Sequence, residues 1–164
     1  LQKDYKIHIP VVKELLNEKY DTLVGIRCED LRRTHNQKLL QEITSFLNTY
    51  YDEIRHKVKG FKIKSKLSDT LITKILMGTI GCVPAYDRYF IEGVKNRKVA
   101  IGKYGINSIM QLVDFYEHNE EQLEKIRMKM KIEDIPYPQM KILDMGFWQI
   151  GFNLDMKKKM NNTH

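Results

Sequence analysis

Between Asn36 and Gly60 the apolar residues fall three or four apart: Leu39, Leu40, Ile43, Phe46, Leu47, Tyr50, Ile54 and Val58. Only an α-helix gathers such positions onto one face; a strand would scatter them over both. Asn36 reads as the N-cap of this helix and Gly60 as its stop. A stripe this long needs a partner surface along its whole length. The helix is therefore expected to be the longest and most central, burying Leu39, Ile43, Leu47, Tyr50 and Ile54.

Shorter segments repeat the period. Pro10 suits the first turn of a helix carrying Val11, Val12, Leu15 and Leu16. Ser68 reads as an N-cap, with Leu67 and Ile72 as its hydrophobic staple. Gly78 and Gly81 end that helix, an apolar loop Cys82-Val83-Pro84-Ala85-Tyr86 follows, and Asp87 caps the next helix, with Phe90, Ile91 and Val94 inward. Lys98–Gly105 reads as a connector with an extended piece at Val99–Ile101. Asn107 or Ser108 starts a further helix, and Asn119 with Gln122 forms a capping box for another. Pro136 and Pro138 break the chain before a last helix that runs from about Pro138 to Ile150. These elements predict an all-α fold of seven or eight short helices with at most one short strand pair. A length of 164 residues fits a single compact domain, placed at 1–151, with 152–164 as a frayed basic tail.

Charge adds a class of partner. Lys and Arg number 28 against 21 Asp and Glu, a net charge of +7 that attracts polyanions. Arg55, Lys57, Lys59, Lys62, Lys64 and Lys66 run together without an acid among them, and Phe61 and Ile63 alternate with the central cations. Lys57, Lys59, Lys62, Lys64 and Lys66 are thus candidate phosphate contacts for DNA or RNA. Further clusters are Lys95, Arg97, Lys98 and Lys103, and Lys157, Lys158 and Lys159. A hydrophobic content of 42% excludes a disordered chain.

Other chemistries find no pattern. The five histidines share no metal-ligand spacing, so no metal is expected, and no glycine-rich loop calls for a cofactor. Cys28 and Cys82 read as small core residues in a reduced, cytoplasmic protein. No run of eighteen apolar residues occurs and the first residues do not read as a secretory signal, so no membrane partner is expected.

The segment from Asp69 to Val94 resembles the helix-hairpin-helix DNA glycosylases. In that family a helix, a short apolar loop containing Pro, and a catalytic Asp at the next helix start follow in order. Here the order is helix Thr70–Met77, loop Thr79–Tyr86, then Asp87. The resemblance implies a nucleic-acid-binding protein with Asp87 as its catalytic carboxylate. The position of Arg88 and Tyr89 beside a carboxylate at a helix start independently makes them candidates to meet phosphate or stack on a base. The resemblance covers about a sixth of the chain. Gly60-Phe61-Lys62-Ile63-Lys64 supplies one glycine where the family's hairpin has Gly-x-Gly, and no Lys stands at the family's nucleophile position. The expectation is accordingly a diverged relative.

Asp144 and Trp148 are four apart, hence on one helix face, and the single Trp is expected in the core or over the loop before Asp87. Two other classes remain open. One is a helical protein-interaction module of bacterial regulation or defence, without catalysis. The other is an enzyme on a small substrate, with Asp87 and Tyr86 in a closed pocket.

Overall fold

The computed structural model describes residues 5–57 and 67–161. Among these residues seven α-helices carry the fold: α1 (Ile9–Leu15), α2 (Thr34–Lys57), α3 (Asp69–Thr79), α4 (Arg88–Asn96), α5 (Ile106–His118), α6 (Glu120–Lys129) and α7 (Gln139–Asn161). The strands among the described residues are β1 (Lys131–Ile132) and β2 (Ile135–Pro136), an antiparallel pair with Ile132 opposite Ile135. The fold is all-α, as the periodicity requires. The extended piece expected at Val99–Ile101 is not a strand, and the pair forms instead around a turn at Glu133 and Asp134.

Helix α2 is the longest, and it buries Leu39, Leu40, Ile43 and Leu47. At its far end Tyr51 is buried, whereas Tyr50 and Ile54 are half-buried. Both tyrosines grip the amino-terminal segment: the Tyr50 hydroxyl donates to the Ile7 carbonyl at 2.6 Å, and the Tyr51 hydroxyl lies 2.8 Å from His8 Nδ1. Asn36 is not the N-cap, because α2 begins two residues earlier, at Thr34. Its amide instead has both a donor and an acceptor to spend inside the core. It donates to the Asp30 carbonyl at 2.9 Å and accepts from Thr22 Oγ1 at 3.1 Å, tying two short turns to α2.

Ser68 caps α3, its Oγ accepting from the Thr70 N–H at 3.1 Å. Helix α5 starts at Ile106, earlier than expected, and frees Ser108 to meet the Tyr86 hydroxyl at 2.8 Å. Asn119 makes no capping box; its amide donates back to the Phe115 carbonyl at 2.8 Å. A polar knot joins the last three helices. Glu124 accepts from Arg127 Nε at 2.9 Å, the Tyr116 hydroxyl at 2.7 Å and Gln139 Nε2 at 2.7 Å. Gln139 Oε1 in turn accepts from the Cys28 N–H at 2.6 Å.

The most extensive helix contact is between α4 and α7, which run antiparallel. Two glycines make it possible. A Cβ on Gly93 would stand 2.0 Å from the Phe147 carbonyl oxygen, and one on Gly151 would stand 1.9 Å from that of Tyr89. Backbone therefore touches backbone. Gly151, the residue just past the expected helix end at Ile150, is a contact point within the helix. The helix continues to Asn161 where a frayed tail was expected. Asp155 pairs with Lys159 one turn on, and Lys158 reaches Glu92 of α4.

Candidate functional site

The loop between α3 and α4 is unusual in being buried: Ile80, Cys82, Val83, Ala85 and Tyr86 all lie in the core. A buried loop must satisfy its own backbone. Gly81 turns it with φ of +72°, a conformation glycine reaches without strain. Asp144 Oδ1 accepts from the Ala85 N–H at 2.9 Å, Thr73 Oγ1 accepts from the Tyr86 N–H at 2.8 Å, and Thr70 Oγ1 donates to the Tyr86 carbonyl at 2.7 Å. Helices α3 and α7 thus clamp the two residues before Asp87.

Asp87 is the N-cap of α4, as its place in the sequence predicts. One oxygen, Oδ1, accepts from both the Tyr89 N–H at 3.1 Å and the Phe90 N–H at 3.0 Å. The other, Oδ2, lies 3.7 Å from Lys74 Nζ, and the side chain keeps 18% of its exposure. It borders a cleft of about 600 Å³ lined by Lys74 and Met77 of α3, by Ala85 and Asp87, and by Lys141, Asp144, Met145, Trp148 and Gln149 of α7. Asp144 Oδ2 accepts from Lys141 Nζ at 3.0 Å. The cleft thus offers two carboxylates, two ammonium groups, thioethers and an indole: a polar floor with one aromatic wall.

Trp148 forms that wall. Its ring stacks on Phe152 with centroids 5.2 Å apart and planes 8° from parallel, and Tyr89 meets it edge-on at 5.2 Å. Tyr89 and Arg88 are not among the residues that line the cleft; Tyr89 braces the Trp148 ring and Arg88 packs on Tyr89. The Arg88 guanidinium lies 4.5 Å over the Tyr89 ring and 3.3 Å from Asp155, which Lys159 and the Tyr89 hydroxyl also contact. The Lys159 hydrogen bond, with Arg88 nearby, holds the Asp155 carboxyl below its ordinary range. In this way Lys159 of the basic cluster and Arg88 meet on one carboxylate, while Lys158 pairs with Glu92.

Lys57 is exposed at the end of α2 and takes no part in the cleft. Lys59, Lys62, Lys64 and Lys66 lie outside the described residues. Sequence reasoning missed Lys74 and Lys141. Lys141 had a faint signal, standing three before Asp144 on the face that also carries Trp148. Lys74 had none, since only the fold of the intervening loop brings it to Asp87. Cys28 and Cys82 are free and buried, and burial raises both thiols to about 12. Among the described residues no three His, Cys, Asp or Glu side chains converge to hold a metal ion, and no helix is long and apolar enough to cross a membrane. No protein-family model, curated protein or solved structure matches this chain.

Proposed function

We propose that this chain is a nucleic-acid-binding helical domain that takes one unpaired base into the cleft beside Asp87. The observation that carries the reading is the division of labour within that carboxylate. Oδ1 is consumed by the helix cap and is therefore fixed, while Oδ2 stands 3.7 Å from Lys74 Nζ and the side chain lines a cleft that Trp148 also lines. An indole face stacks on any base, and a carboxylate oxygen beside an ammonium group offers acceptor and donor to the base's polar edge. The net charge of +7 supplies the long-range attraction to a polyanion. Two free, buried cysteines suit work in a reducing cytoplasm.

The resemblance to DNA glycosylases adds a reaction to this binding mode. As the bond between base and sugar breaks, the base leaves with the bonding electron pair and takes up a proton, positive charge grows on the sugar beside the fixed negative charge of Asp87, and a water molecule adds to the sugar carbon and gives up a proton. Intrinsic fluorescence tests the binding directly, because Trp148 is the single tryptophan of the chain. Titration with single-stranded DNA, duplex DNA and RNA in dilute salt is expected to change its emission with at least one of them. An emission unchanged by all three overturns the reading.

A second reading, a protein-interaction module, is favoured by a different surface. Ile126 of α6 and Met130 just after it, with Ile132 and Ile135 of the hairpin, are exposed apolar residues close in sequence. It gains if no nucleic acid binds.

A further inference from the structure

We propose that Lys141 is the phosphate-gripping residue of the cleft and that Asp144 is its positioning residue. The proposal rests on the reading of the cleft as a nucleic-acid site. An ammonium group has three N–H donors. Lys141 spends one on Asp144 Oδ2 at 3.0 Å and one on Met77 Sδ at 3.3 Å. The third has no partner among the described residues, and the side chain lines the cleft with 29% of its surface exposed. Such a group is held in place yet not used up.

The contrast with Lys74 sharpens the assignment. Among the described residues Lys74 pairs only with Asp87, at 3.7 Å, and it is 55% exposed. A long, solvated side chain loses rotamer freedom whenever it binds; one already clamped by two contacts loses little. Lys141 is the preorganised cation of the two. Its neighbouring carboxylate presents no free oxygen to an incoming anion, because Asp144 is buried with one oxygen on the Ala85 N–H and the other on Lys141.

Asp144 also sets the register of the site. Through Oδ1 it holds the Ala85 N–H, two residues before Asp87, and through Oδ2 it holds Lys141. The group that meets the base and the group that meets the phosphate are therefore fixed to one another through a single buried side chain. The ligand class that matches is a phosphodiester-linked nucleotide, with the backbone oxyanion at Lys141 and the base between Trp148 and Asp87.

The test uses the full chain and a mixed-sequence single-stranded DNA oligonucleotide, read by Trp148 emission over a salt series. Lys141→Gln is expected to weaken binding about tenfold, the scale of one charge-assisted hydrogen bond. It should also flatten the slope of log affinity against log salt by about 0.7, the value of one phosphate contact on a single strand. Lys141→Arg should restore the slope. Asp144→Asn keeps the cation but loosens it, so affinity should fall severalfold with the slope unchanged. Circular dichroism and thermal midpoints confirm that each variant is folded. Wild-type affinity and slope in a folded Lys141→Gln variant overturn the proposal while leaving the binding reading intact. An oligonucleotide that fails to bind the wild-type chain in dilute salt overturns both. Inorganic phosphate as potent as the oligonucleotide overturns the assignment to a polynucleotide.

Discussion

At the scale of single residues, Asp87 carries two separable roles, and substitution divides them. Asn caps a helix as well as Asp does, so Asp87→Asn is expected to leave stability nearly unchanged, while Asp87→Ala costs about 1 kcal/mol in chemical denaturation. If the carboxylate also acts on the ligand, Asp87→Asn should abolish turnover while base binding persists. Asp87 was legible in the sequence because capping is local: an Asp directly before an apolar periodic run declares itself. Lys74, Lys141 and the buried carboxylate of Asp144 were not, because each owes its role to a partner brought near by tertiary folding. The cysteines give an independent check. Burial raises both thiols to about 12, so neither should react with a disulfide reagent at neutral pH until the chain unfolds. Two rapid equivalents of reaction in the native state would contradict the packing around them.

Among elements, the seam between α4 and α7 makes the sharpest prediction. Gly93→Ala or Gly151→Ala drives a methyl group into a carbonyl of the facing helix, and backbone cannot step aside as a side chain can. Each is expected to cost at least the roughly 1–3 kcal/mol of an overpacked core. Gly146→Ala, on the same helix with nothing within 4 Å, should instead stabilise by up to about 1 kcal/mol, because alanine is the better helix former. Thermal denaturation of the three variants checks the order. From the sequence the last helix ends at about Ile150, since a glycine after an apolar stripe usually stops one. The use of Gly151 for close approach depends on which helix lies opposite, and periodicity does not encode that. The knot at Glu124 predicts a pH response. Burial pushes its carboxyl up, but hydrogen bonds from Arg127, Gln139 and Tyr116 outweigh it and hold it at about 2, against an ordinary 4.5. Its contribution is thus complete above about pH 4.5 and is lost as pH falls towards 2. Unfolding midpoints over that window should fall, and less steeply in Glu124→Gln.

For the whole molecule, the all-α class and the central α2 followed from spacing alone, since helical burial repeats with a period the sequence displays. The cleft did not follow, because it is a product of how α3, the buried loop and α7 meet. Net charge makes the global prediction: affinity for nucleic acid should fall steeply as salt rises, through release of counterions from the bound strand. Replacing Lys62, Lys64 and Lys66 together by Ala should weaken binding without unfolding the domain, and salt-independent binding would speak against phosphate contact altogether. The glycine seam has a kinetic consequence as well. Asp87 opens α4, whereas Lys141, Asp144 and Trp148 belong to α7, and the two helices are in contact backbone to backbone. The proposed base end and phosphate end of the cleft therefore ride on one stiff block. A ligand meets a site already in its final shape, so association is a single encounter step, and its observed rate should climb linearly with ligand concentration without reaching a plateau.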